Sequence, residues 1–142
     1  MGGVLTEAKV IRFVLADDRS CVRRAIRRQL QCLGAVEITG EACNGREAVE
    51  LVKSTRPDLV IMDIIMPEMG GLEATEIIAK ECPDIPVVIL SSNTAEDWEA
   101  KALNAGAAAY VVKGAPFCEL EATLRKVLGD KAPPGLSDVV HV

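Results

Sequence analysis

The chain has 142 residues, of which 49% are hydrophobic and only 3% aromatic, and its formal net charge is -5. This length suits one domain whose core needs no disulfide or metal staple. The acidic balance weighs against general nucleic-acid binding, and no apolar run approaches the ~18 residues of a membrane span. The start lacks the paired charged and apolar regions of a secretion signal, so a cytoplasmic location is expected. An aliphatic, aromatic-poor core suits a parallel α/β layer. The five cysteines, Cys21, Cys32, Cys43, Cys82 and Cys118, form no C-x-x-C pair, and the only histidine is His141. They read as small buried hydrophobes in a reducing compartment, not as a disulfide or zinc framework.

Residues 1–9 read as a leader, 10–128 as the folded domain and 129–142 as a tail or linker. Val10 to Ala16 is an apolar run that ends in Asp17-Asp18, as a buried strand would. From Arg19 to Leu33, Val22, Ala25, Ile26, Leu30 and Leu33 share one helical face. Arg23, Arg24, Arg27 and Arg28 occupy the other, which reads as a solvated surface, with a phosphate-binding or partner surface as the alternative, and Gly34 stops the helix. Val36 to Ala42 alternates like a half-exposed edge strand. Asn44 is placed to cap a helix running to about Thr55, with Glu47 at the capping-box offset.

Between Pro57 and Pro67 lies Asp58-Leu59-Val60-Ile61-Met62-Asp63-Ile64-Ile65-Met66, in which Leu59 to Ile64, interrupted by Asp63, reads as a strand buried on both faces. Asp63 near its carboxyl end is expensive to bury without a compensating partner, which makes it a site candidate. A Pro/Gly-rich loop from Pro67 to Gly71 precedes a helix from Leu72 to about Glu81. Ile85 to Leu90 is a fourth strand ending in Ser91-Ser92, and Thr94 with Asp97 opens a helix that Gly106 stops. Ala107 to Val112 is a fifth strand ending in Lys113, and Pro116 introduces a last helix from Phe117 to Leu128. Trp98 is expected on the exposed side of the fourth helix, either as a partner anchor or as packing.

Strand–helix alternation of this kind implies a doubly wound parallel sheet with helices on both faces. Four of the strands end in groups that a buried strand does not need: Asp17-Asp18, Asp63, Ser91 and Lys113. A parallel sheet brings strand carboxyl ends to one edge, where these groups can converge. Two carboxylates ~4 Å apart repel by about 1 kcal/mol in water and about 4 kcal/mol at an effective dielectric of about 20. Lys113 offsets part of that, and a divalent ion with all-oxygen ligands, such as Mg2+, would offset the rest. A serine hydroxyl and an ammonium beside such a carboxylate make a phosphoryl-binding site, with Asp63 positioned for in-line attack.

These residues resemble the receiver domain of two-component response regulators. The resemblance rests on Leu15-Ala16-Asp17-Asp18, Asp58 to Pro67, Val88-Ile89-Leu90-Ser91 and Ala109-Tyr110-Val111-Val112-Lys113-Gly114, and spans about Val10 to Leu128. It implies a flavodoxin-like fold with strand order 2-1-3-4-5. It further implies that Asp63 accepts a phosphoryl group from a sensor histidine kinase or phosphotransfer protein. On the same resemblance, Asp17, Asp18, Asp63 and the Ile65 carbonyl hold Mg2+, Lys113 contacts the phosphoryl group, and Ser91 and Tyr110 are the switch pair. The surface of the fourth helix, fifth strand and fifth helix would then change for a downstream output domain or protein, or for phosphorylation-dependent pairing with a second copy. The chain would catalyse only its own phosphorylation and dephosphorylation.

Some positions depart from the family pattern. Gly70 stands where an aspartate is common, Ile65 is apolar where polar residues are frequent, and Gly114 replaces a proline. Lys113-Gly114-Ala115 is similar to receivers that usually carry a LuxR/NarL-like helix-turn-helix domain; residues 129–142 are too short for one, so direct nucleic-acid binding is not expected of this chain. Two other classes remain: a phosphorylation-independent interaction module on the same fold, and an aspartate-nucleophile phosphatase. The phosphatase would want a D-x-D motif, whereas Asp63 is followed by Ile64-Ile65.

Overall fold

The computed structural model describes residues 10–93 and 96–129. The leader, Thr94, Pro133-Pro134-Gly135 and His141 lie outside the described residues. The elements, in chain order, are β1 (Ile11–Ala16), α1 (Ser20–Gln31), β2 (Val36–Ala42), α2 (Gly45–Thr55) and β3 (Leu59–Met62). They continue with α3 (Gly71–Glu81), β4 (Val87–Ser91), α4 (Glu96–Asn104), β5 (Ala109–Val112) and α5 (Phe117–Leu128). The five strands form one parallel sheet in the order β2-β1-β3-β4-β5. This is the doubly wound, flavodoxin-like arrangement that the strand–helix alternation implies.

Side chains along each strand alternate between the two faces, and this divides the core. Ile11, Phe13 and Leu15 of β1, with Leu59 and Ile61 of β3, pack under Ile26 and Leu30 of α1 and Leu120 and Leu124 of α5. Val14 and Ala16, with Val60 and Met62, face the other way, against Ala48 and Val52 of α2, Ala74 and Ile78 of α3 and Ala102 of α4. A central strand flanked on both faces has no polar side, which is why Leu59 to Met62 reads as an unbroken apolar run.

Several boundaries differ from the sequence expectation for local reasons. β4 begins at Val87, not Ile85, because the Ile85 N–H donates to the Cys82 carbonyl in a turn and Pro86 has no N–H. β5 begins at Ala109, because the Ala107 N–H closes the end of α4 on the Ala102 carbonyl. The capping box at α2 is displaced by one residue. The Asn44 side chain accepts from the Glu47 N–H at 2.9 Å, while the Glu47 carboxylate accepts from the Cys43 N–H at 3.0 Å. The arginine face of α1 is not simply solvated, since Arg23 and Arg27 both pair with Glu41 of β2. Cys82 is the one buried cysteine; Cys21, Cys32, Cys43 and Cys118 are exposed, because they fall at element ends and on outer helix faces. Trp98 is half-buried against the core, not on an exposed side of α4, with the Lys101 ammonium 4.9 Å from its ring centroid.

The loop after β3 folds back so closely that a side chain would collide with it. A Cβ on Gly71 would lie 1.9 Å from the Asp63 carbonyl oxygen, and the Gly71 N–H donates to the Ile64 carbonyl at 2.8 Å. The obstacle is backbone, so it cannot move aside without shifting Asp63. Gly71→Ala is therefore expected to lower unfolding free energy by about 3 kcal/mol, read from urea midpoints.

Candidate functional site

The carboxyl ends of β1, β3, β4 and β5 meet at one edge of the sheet, and backbone bonds carry the strand register into the site. The Asp17 N–H donates to the Ala42 carbonyl at 3.0 Å, and the Asp63 N–H to the Ala16 carbonyl at 2.9 Å. The Lys113 N–H donates to the Ser91 carbonyl at 2.8 Å. Asp17, Asp63 and Lys113 are thus each the first residue after a registered strand, and Ser91 is the last residue of its own.

The side chains of Asp17, Asp63 and Lys113 converge. The Lys113 ammonium donates to Asp17 Oδ2 at 2.7 Å and to Asp63 Oδ2 at 3.1 Å. Asp17 Oδ1 accepts from the Arg19 N–H at 2.9 Å, and Asp63 Oδ1 from the Ile64 N–H at 2.8 Å. Asp17, Asp63 and Ser91 are buried, whereas Asp18 is exposed at the rim. One carboxylate oxygen from each of Asp17, Asp18 and Asp63 lies within 4.8 Å of the others. Ile65 is 64% exposed beside them.

These donors fit a hard divalent cation. All three are carboxylates, one faces solvent, and three negative charges against one ammonium leave a deficit of two. Asp17, Asp18 and Asp63 are the side chains that could hold such an ion. Nothing in the sequence tied Arg23, one of four arginines on a helix face, to the Asp17 carbonyl, to which its guanidinium donates at 2.6 Å. Asn93 was equally silent. Its N–H donates to Ser91 Oγ at 3.2 Å, and its carbonyl accepts from the half-buried Tyr110 hydroxyl at 2.5 Å. Backbone partners of this kind carry no side-chain signature in a sequence.

Burial pushes the Asp63 carboxyl above the usual aspartate range, against the opposing pull of the Lys113 ammonium. Burial also pulls Lys113 down, but its hydrogen bonds to Asp17 and Asp63 outweigh that and hold the ammonium above the ordinary lysine value. Because folded Asp63 keeps its proton more tightly than the unfolded chain does, its contribution to stability is favourable below the usual aspartate range. That contribution is lost as pH rises through the raised value, so at neutral pH the ionised group is a net cost. In the metal-free protein, Asp63→Asn is expected to raise the melting temperature at pH 7 by about 3 °C, and calorimetric melts at pH 4 and 7 should show the gain shrinking at the lower pH.

The model of the family described as response regulator receiver domain matches residues 13–125. Response regulator UvrY of Escherichia coli K12 is 39% identical over 118 residues, 83% of this chain and 54% of UvrY. Response regulator GacA of Pseudomonas viridiflava is 36% identical over the same length, 83% of this chain and 55% of GacA. The chain therefore spans about half the length of the curated relatives it matches. Among solved structures, a LuxR-family two-component response regulator from Aurantimonas sp. SI85-9A1 superposes with a TM-score of 0.81 at 30% identity, covering 90% of this chain and 93% of that one. A LuxR-family DNA-binding response regulator from Staphylococcus aureus superposes at 0.79 with 32% identity, covering 84% of this chain and 100% of that one. With the strand order, the acidic edge and the bridging lysine already in place, these matches establish that the chain belongs to the response regulator receiver domain family.

Proposed function

We propose that Asp63 is the phosphoacceptor of this receiver, charged from the phosphohistidine of a sensor histidine kinase or phosphotransfer protein. The observation that carries this is the Lys113 ammonium bridging Asp17 Oδ2 and Asp63 Oδ2, with the buried Ser91 at the end of the intervening strand β4. An Asp63 oxygen attacks phosphorus in line, the phosphorus–nitrogen bond breaks, and its electron pair stays on the leaving imidazole. The product is an acyl phosphate on Asp63. Lys113 and Ser91 then take phosphoryl oxygens. Asp17, Asp18, Asp63 and the Ile65 carbonyl would hold Mg2+, which when bound supplies positive charge against the phosphoryl oxygens. The chain has no external substrate and turns over only its own phosphoryl group.

The change then travels by two hydrogen bonds. Ser91 Oγ accepts from the Asn93 N–H, and the Asn93 carbonyl accepts from Tyr110. A phosphoryl oxygen that draws the Ser91 hydroxyl inward pulls on this loop and on the Tyr110 hydroxyl with it. The surface of α4, β5 and α5 then differs between the two states for an output domain or protein, or for a second copy. Among the described residues no helix is long and apolar enough to cross a membrane. A cytoplasmic site of action accords with the soluble chemistry of this phosphotransfer.

Intact-mass measurement with acetyl phosphate and Mg2+ tests the assignment. A single phosphoryl gain that requires Mg2+ and is lost in Asp63→Asn supports it. No gain under any phosphodonor would move the reading to a phosphorylation-independent binding module. Ile65 is exposed and apolar next to the acceptor, where it offers no hydrogen bond to orient an attacking water. Ile65→Asn is expected to shorten the acyl-phosphate lifetime several-fold, followed by mass after removal of the donor; an unchanged lifetime would refute that role for Ile65.

A further inference from the structure

We infer that Arg23 is a positioning residue for the cation site, acting through the peptide that joins Asp17 to Asp18; this rests on the reading of Asp17, Asp18 and Asp63 as a Mg2+ site. Helical side chains lean toward the helix N-terminus. Arg23, in the first turn of α1, thereby reaches six residues back to the Asp17 carbonyl at 2.6 Å. Its other contact is a 3.0 Å bond to Glu41 near the end of β2, and Glu41 also receives Arg27 from the next turn of α1. The Arg23 side chain is only 17% exposed and Glu41 26%, so the pair is screened from solvent more than a surface ion pair would be.

The geometry has a specific consequence for Asp18. Asp17 is held at its N–H by Ala42 and at both carboxylate oxygens by Arg19 and Lys113. Asp18 is exposed at the rim, yet one of its oxygens lies within 4.8 Å of those of Asp17 and Asp63. A peptide unit is planar, so holding the Asp17 carbonyl oxygen fixes the direction in which the chain enters Asp18. Arg23 therefore aims the one metal-ligating carboxylate that burial does not hold in place. It does so from outside the ligand set, as groups behind metal ligands do elsewhere.

Positioning and electrostatics predict opposite signs here, which makes the inference testable. Removing a cation near an Mg2+ site strengthens metal binding if charge alone matters, and weakens it if the removed group orients a ligand. Calorimetric titration of the full chain with Mg2+ would compare the wild type with Arg23→Gln, Arg23→Lys and Arg27→Gln. Each variant would be titrated at a temperature where its melting curve shows it folded. The expected result is about tenfold weaker Mg2+ binding in Arg23→Gln. Weaker binding is also expected in Arg23→Lys, which keeps the charge but not the two-ended fork. Arg27→Gln, which removes a cation from the same Glu41, should bind as the wild type does or tighter. Should Arg23→Gln fail to fold, Arg23→Lys decides the matter. Equal or tighter binding in the folded Arg23 variants, or an equal loss in Arg27→Gln, would overturn the positioning role. No Mg2+ binding by the wild type would instead overturn the cation-site reading on which it rests.

Discussion

One contact sets the terms for the rest of the molecule: the Lys113 ammonium lying between Asp17 and Asp63. Two buried carboxylates at the same edge repel each other, and burial disfavours the ionised form of Asp63. Lys113 comes from β5, which is separated from β3 by β4 and lies at the far edge of the sheet from β2. Its long side chain therefore has to cross the end of β4, where Ser91 sits. A parallel sheet with its strand ends aligned is what makes that crossing short enough. The fold and the site are in this sense one problem, since another strand order would leave the acids without their cation.

The arrangement is a compromise between stability and chemistry. Among the described residues every buried side-chain nitrogen and oxygen has a hydrogen-bond partner, so the polar edge is not left raw inside the protein. Even so, the carboxyl of Asp63 stands above its ordinary range, and its ionised form sits at a cost that the surrounding core must carry. That core is large for the chain, with two aliphatic clusters on opposite faces of the sheet. The close packing of Gly71 under the Asp63 carbonyl shows how little freedom the Asp63 backbone has. A carboxylate held so firmly keeps its direction whatever its charge.

Two sets of contacts lead away from the acids. On one side, Asn93 links the Ser91 hydroxyl to Tyr110 and so to the half of the molecule that includes α4 and β5. On the other, Arg23 links the Asp17 carbonyl to Glu41 and so to β2. The first passes through a loop and is suited to movement. The second joins a helix to a strand end through a partly buried ion pair and is suited to holding still. A site that, as proposed, grips a cation and releases a signal would use both kinds of support.

Most of the fold was legible in the order of residues, because apolar runs and helical faces record which surfaces are buried. Val36 to Ala42 and Phe117 to Leu128 were read at their observed limits. The polar strand ends were legible for the same reason: Asp17, Asp63, Ser91 and Lys113 interrupt patterns that otherwise have no use for them. What escaped was whatever depends on a partner distant in sequence or on backbone atoms. The arginine face of α1 looked solvated because nothing local announces Glu41, and the exposed cysteines looked buried because composition does not say which side of a helix faces out. Asn93 acts through its N–H and carbonyl, groups every residue but proline carries, so its place between Ser91 and Tyr110 appears only once β4 and β5 lie side by side. The sequence by itself determined which elements form and which groups stand at their ends. Only the tertiary structure decided that Lys113 reaches both Asp17 and Asp63, because those contacts depend on distances across the sheet that no local pattern encodes, and that Arg23 meets the Asp17 carbonyl, because a helix face does not say which backbone atom its side chains will find.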